Sequence, residues 1–168
     1  MKIRLPSFVA VPRVGFQMHE AMAGTHEFVA KAGPAGEFPF SFELDWGTDR
    51  LVEFMNPLST VSPFRAKATG VIRIAELVDT CPCEGTLEFR YWTESKIRYR
   101  LTFTVDGRPC EYVGEKVGIR PWNLHRTHTT CYGVTHDLTT GKEISRSLCF
   151  FRLRTLPSFL RSFRLICS

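Results

Sequence analysis

One charged side chain falls where the pattern of its strand calls for an apolar one. The run from Ile97 to Val105 sets Ile97, Tyr99, Leu101, Phe103 and Val105 on one face, the period of a strand with one side in a core. Asp106-Gly107 suits a two-residue type I′ turn, whose central residues take positive φ. With Val105 paired to Arg108, Phe103 faces Cys110, Leu101 faces Tyr112, Tyr99 faces Gly114 and Ile97 faces Lys116. The opposite face pairs Thr102 with Glu111 and Arg98 with Glu115, the latter an ion pair. Lys116 therefore lands on the apolar face. A lysine inside a barrel must be paired, hold an anionic group or have a depressed pKa. At a barrel mouth it can instead snorkel along Ile97 to solvent. If it is only partly desolvated, Lys116→Met should leave the fold intact or stabilise it.

His128, Thr130, Tyr132, Val134 and His136 alternate on one face of a later strand, opposite Ile144, Leu148, Phe150 and Arg152. The apolar members make this the expected inner face. Beside Lys116, such a ladder would orient a ligand's polar head or serve acid–base chemistry; it could equally close as a satisfied polar network. Cys81-Pro82-Cys83 with His125 and His128 has no second Cys pair at short spacing, so no metal site is expected. Cys131 and Cys149 face each other across the last hairpin and read as two small buried strand residues. There is no Gly-x-Ser-x-Gly elbow, and no acid–base carboxylate pair stands out by spacing. No cofactor is implied.

These side chains need strands to hold them. Phe16–Val29 is strand-like, with Gly24 suggesting a bulge, and Gly33-Pro34-Ala35-Gly36 is a loop. Phe38, Phe40, Phe42, Leu44 and Trp46 share one face of the next strand. Asp49–Met55 changes to helical spacing, with Leu51, Phe54 and Met55 at i, i+3 and i+4, and ends before Pro57. Phe64–Ile74 returns to period two with Ala66, Ala68 and Gly70 inward. Asp79–Gly85 reads as a loop, Gly85–Trp92 as a strand, and Arg120–Leu124 as a connection. Thr127–His136 and Glu143–Leu153 flank a Gly141 turn, and Phe159 and Phe163 allow a helical turn near the end.

A chain of 168 residues without internal repeats is one domain, here 1–168 with 1–15 as an N-terminal extension. A globule of this size buries roughly 70% of its unfolded surface and needs no disulfides. Fourteen Phe favour strands and a wide apolar interior. Six scattered Cys and an N-terminus without a signal-peptide core fit a reducing, cytoplasmic setting. No apolar stretch approaches the ~20 residues of a membrane span. The +5 charge gathers towards the C-terminus without a Lys/Arg run, which reads as a solvated basic face and not a nucleic-acid site.

An ordered series of short motifs carries a resemblance. It runs Phe16-x-Met18-x-Glu20-x-Met22-x-Gly24, Pro39-Phe40-Ser41-Phe42, Ala68-Thr69-Gly70 and Gly85-Thr86-Leu87. It continues through Arg98-Tyr99-Arg100-Leu101, Asp106-Gly107-Arg108, Tyr112-x-Gly114-x-Lys116 and Thr129-Thr130-x-Tyr132. Over roughly residues 16 to 166 the chain resembles an accessory domain found downstream of GMC-type (cholesterol-oxidase-like) flavin oxidoreductases in bacteria. The resemblance implies a lipid- or sterol-related context and a flavin oxidoreductase as partner. Gly-x-Gly-x-x-Gly is absent, so the flavin-binding part is not here, and the Cys at 81, 83, 110, 131 and 149 fall outside the pattern.

The expected fold is all-β, an antiparallel lipocalin-like barrel of about eight strands with one short helix. The expected function is to bind a hydrophobic small molecule, a lipid, sterol or polyketide-like compound. Phe40, Phe42, Leu44, Trp46, Leu87, Phe89, Tyr99, Leu101 and Phe103 would form the walls. Lys116, Tyr132, His128 and Thr130 would meet the polar end. A cofactor-independent isomerase or cyclase using the same cavity is the alternative, and a structural docking module another.

Overall fold

Alternation along the strands builds the barrel. The computed structural model describes residues 13–56, 58, 64–118, 129–151 and 156–167. The strands are β1 (Val14–Phe28), β2 (Glu37–Thr48), β3 (Arg65–Ile74), β4 (Val78–Arg90), β5 (Lys96–Val105), β6 (Arg108–Lys116), β7 (Thr130–Asp137) and β8 (Glu143–Phe151). They pair antiparallel in chain order, and β1 closes the ring by pairing with both β8 and β2. A short β9 (Arg164–Cys167) adds to the start of β1. Three short helices are described: α1 (Leu51–Met55), α2 (Tyr91–Glu94) and α3 (Leu156–Arg161). None is long and apolar enough to cross a membrane.

The β5–β6 hairpin has the expected register at every pair from Ile97↔Lys116 to Val105↔Arg108. Asp106 and Gly107 take the positive φ that a type I′ turn needs, 48° and 78°. On the outer face Arg98 Nε meets Glu115 Oε1 at 2.7 Å, and Lys96 shares that carboxylate. α1 forms where the spacing turned helical.

Three local expectations are corrected. Residues 79–85 belong to β4, with Val71 opposite Pro82. The proline is tolerated because the β4–β5 ladder runs only from Glu84 to Arg90, so Pro82 lies on an unpaired edge. Tyr91 and Trp92 turn into α2, so the fold has more than one short helix. Gly24 stays in register with Phe40 and is no bulge. A Cβ there would stand 2.0 Å from the Leu148 carbonyl oxygen, so the glycine lets β8 approach β1.

Aromatic rings fill the middle of the barrel. Phe40, Phe42, Tyr99 and Tyr112 are almost wholly buried and form a chain of ring contacts, with centroids 5.0 Å apart for Phe40–Tyr112 and 5.5 Å for Phe42–Tyr99. Tyr112 reaches over two paired glycines, Gly114 and Gly133. A Cβ at Gly133 would stand 2.2 Å from the tyrosine ring, closer than atoms can approach. Towards the hairpin end, His26 Nε2–H donates to the Ala75 carbonyl at 2.9 Å and its Nδ1 is buried without a partner.

Two outcomes follow from this packing. Gly133→Ala should destabilise the fold by about 1–3 kcal/mol in urea denaturation, as overpacking does. Pairing it with Tyr112→Leu should recover part of that loss if the ring is the obstacle. Burial lowers the pKa of His26 from 6.5, against the smaller opposing effect of the Ala75 bond. The unfolded chain thus takes up this proton more readily, so the contribution of His26 is held above pH 6.5 and lost as pH falls below it. His26→Phe should flatten the slope of unfolding midpoint against pH between about 7 and 5.

Candidate functional site

β1 carries a carboxylate on its inner face. Phe16, Met18, Glu20 and Met22 alternate inward, and Glu20 is only 4% exposed. β6 brings Lys116, 3% exposed, to the same place. Its Nζ lies 2.5 Å from Glu20 Oε1, and Tyr99 OH donates to Glu20 Oε2 at 2.9 Å. The ammonium also stands 5.2 Å from the centre of the Tyr99 ring and 6.0 Å from that of Phe151. β1 and β5 are diametrically opposite in the ring of strands, so the Glu20–Tyr99 bond crosses the interior. Burial, reinforced by the neighbouring Glu20 charge, pushes the Tyr99 phenol well above its ordinary value and keeps it a donor. Tyr91 is pushed up to about 12 by burial, with Glu20 adding to the effect.

The cluster sits beside a seam. β1 pairs with β8 from Met22 to Phe28 and with β9 from Val14 to Gln17; from Met18 to Ala21 its ladder is with β2 alone. α3 and the residue after it cover that stretch. His19 N–H donates to Ser162 Oγ at 2.8 Å, and Phe159 packs edge-on against Phe151 with ring centres 5.3 Å apart. An aromatic collar continues around this end, linking Phe16 to Trp46 and Phe54, and Phe89 to Trp46, Phe54 and Tyr91. The Trp46 indole Nε1 is buried with no hydrogen-bond partner.

Of the residues expected at the polar end, Lys116 is inside as expected and Tyr99 is beside it. Tyr132 is not: it is 56% exposed and points outward, as does its row on β7. The inner rows are Cys131, Gly133, Thr135 and Asp137 on β7, and Ser145, Ser147 and Cys149 on β8. Small residues face in because Tyr112 already occupies the space, and Leu148 and Phe150 are left outside. Thr130 belongs to the outer row, half-buried, opposite Phe150. His128 and His125 lie outside the described residues. Phe42, Trp46 and Phe103 face inward and are buried, Phe42 completely, as part of the packed core.

The partner that the strand pattern left unassigned is Glu20. Its signal was present: a lone carboxylate on the apolar face of β1, matching a lone ammonium on the apolar face of β6. Among the described residues no group of three His, Cys, Asp or Glu side chains gathers to hold a metal ion. The described grooves, of about 350, 540 and 690 Å³, are open ones lined largely by residues on the outside of the barrel. Comparison with protein-family models, curated proteins and solved structures finds no match.

Burial of the partner reverses the expectation for Lys116→Met. Removing the ammonium leaves Glu20 charged in a site of low polarity, so the exchange should cost about 3–5 kcal/mol near pH 7. Glu20→Gln added to Lys116→Met should recover at least half of it, because no uncompensated charge remains. Arg98→Met on the outer face should cost at most ~1 kcal/mol. Urea titrations of the four proteins at pH 7 check all of this.

Proposed function

We propose that this barrel binds an amphipathic hydrophobic small molecule at the end framed by the aromatic collar. The buried Glu20–Lys116–Tyr99 cluster carries this reading. An ion pair in a barrel interior gives less stability than apolar side chains of the same volume, so its presence calls for a use other than folding. Glu20 accepts one of the three N–H bonds of Lys116. The ammonium also stands over the Tyr99 ring, and among the described residues the buried indole N–H of Trp46 has no acceptor. These donors suit a carboxylate or hydroxyl head, and the rings around them suit an apolar body. The stretch Met18–Ala21, covered by α3 and not by a continuous ladder, is the place where the wall can part without breaking strand pairs. A lipid, sterol or polyketide-like compound fits this chemistry. The resemblance to domains associated with GMC-type oxidoreductases supports a sterol or lipid context and a flavin enzyme as partner.

The same cluster favours a second reading. A carboxylate hydrogen-bonded by a phenol and an ammonium can move a proton and steady the developing oxyanion, which is what a cofactor-independent isomerase or cyclase needs.

An apolar fluorescent probe is expected to bind the folded protein with micromolar affinity and to be displaced by long-chain carboxylates or sterols. Lys116→Arg and Glu20→Gln should change the ranking of displacing ligands by about tenfold, the scale of one hydrogen bond to a charged group. Arg98→Met should not change it. Failure of every apolar probe to bind well-folded protein would overturn the binding reading and leave a solid barrel that docks on a partner. Native mass spectrometry of protein from its own host would show a retained ligand directly.

A further inference from the structure

Six cysteines are free, and five of them are buried. Two differ from the others. Cys131 on β7 stands directly opposite Cys149 on β8, both wholly buried on the inner face. Directly opposed residues of an antiparallel pair have Cα atoms about 4.5–5.5 Å apart, within the range a disulfide spans. Cys149 Sγ lies 3.7 Å from the Cys131 carbonyl oxygen, and Cys131 Sγ lies 4.0 Å from that of Tyr132. Tyr112 OH reaches both sulfurs at 3.8 Å.

We propose that Cys131 and Cys149 are a reversible dithiol–disulfide couple, oxidised by hydroperoxides, with Cys149 as the attacking sulfur. The Cys149 thiolate attacks the outer oxygen of ROOH; the O–O bond breaks, ROH leaves with a proton, and Cys149 becomes a sulfenic acid. The Cys131 sulfur then attacks Cys149, the S–O bond breaks and water leaves with the Cys131 proton. The sum is two thiols and ROOH giving a disulfide, ROH and water. A small dithiol returns both cysteines to thiols.

The surroundings assign the roles. The neighbouring Cys131 side chain favours the Cys149 thiolate; Tyr112 OH and the Lys116 charge act in the same direction against the effect of burial. Burial holds Cys131 itself well above the ordinary thiol value. Cys83 is pushed up to about 11 by burial and by Cys81, and Cys110 is also raised by burial. Cys81 and Cys83 are two apart on one strand and point the same way, so neither faces the other across a ladder. The thiolate is the reactive form, so Cys149 should lead and Cys131 should resolve.

The test uses the full chain with the exposed Cys167 changed to Ser. Reduced protein is exposed to hydrogen peroxide, quenched, unfolded and alkylated. The expected result is loss of two alkylatable thiols, a mass lower by two hydrogens, and a peptide linking Cys131 to Cys149 that dithiothreitol reverses. Cys149 should react at least ~10 times faster than Cys83. Cys131→Ala should leave a sulfenic acid on Cys149 that dimedone captures, and Cys149→Ala should leave Cys131 unmodified. Retention of both thiols while Cys83 or Cys110 oxidises would overturn the proposal, as would dimedone capture at Cys131 in Cys149→Ala. If either variant fails to fold, the peptide map of the parent protein decides between a Cys131–Cys149 link and none.

Discussion

A carboxylate buried inside a barrel must be held by donors on the facing wall, and much of the upper half of this molecule is arranged around that need. Glu20 reaches inward from β1 and is met by Lys116 from β6 and Tyr99 from β5. Because β1 and β5 are opposite each other, the cluster ties the two walls together where the β1–β8 ladder has stopped. Glu20, Lys116 and Tyr99 are each less than 5% exposed, so every lost hydrogen bond there would be felt in a medium that screens charge poorly. The specificity of such a cluster is geometric: a change in strand register of one residue would turn Lys116 outward and leave Glu20 alone.

Below the cluster the barrel is solid. Tyr112 lies across Gly114 and Gly133, and its hydroxyl ends among Ser147, Cys131 and Cys149. The consequence reaches the outside. With the inner rows of β7 and β8 given over to small residues, Tyr132, Leu148 and Phe150 stand partly in solvent, an apolar stripe on the barrel's outer face. Volume filling, and not hydrophobicity alone, decides which side of these two strands faces in.

The two ends of the molecule therefore differ in kind. The hairpin end is a packed core with one buried histidine. The other end has, among the described residues, an indole N–H without an acceptor, a collar of rings, and a stretch of β1 covered by a helix. A helix held by a few ring contacts and a serine bond opens at lower cost than a strand ladder, because fewer backbone bonds break together. That difference, and not the size of the barrel, is why binding is proposed at this end.

Where local pattern and packing agree, the fold was legible in the residues alone. The β5–β6 hairpin follows from strict alternation and an Asp-Gly turn, which set its register and put Lys116 inside. The Phe38–Trp46 face and the change to helical spacing near Leu51 were equally plain. Three things needed the tertiary structure. The inner face of β7 and β8 depends on the volume of Tyr112, a residue on another strand. Pro82 is allowed in β4 because β5 does not pair there, which only the arrangement of neighbours decides. Glu20 and Lys116, 96 positions apart in sequence, become partners because closing the barrel brings β1 across from β5 and β6. Each buried charge was visible as an exception to its own strand's pattern, but periodicity carries no record of distance between strands, so the chain alone could mark the two exceptions and only the closed barrel could join them.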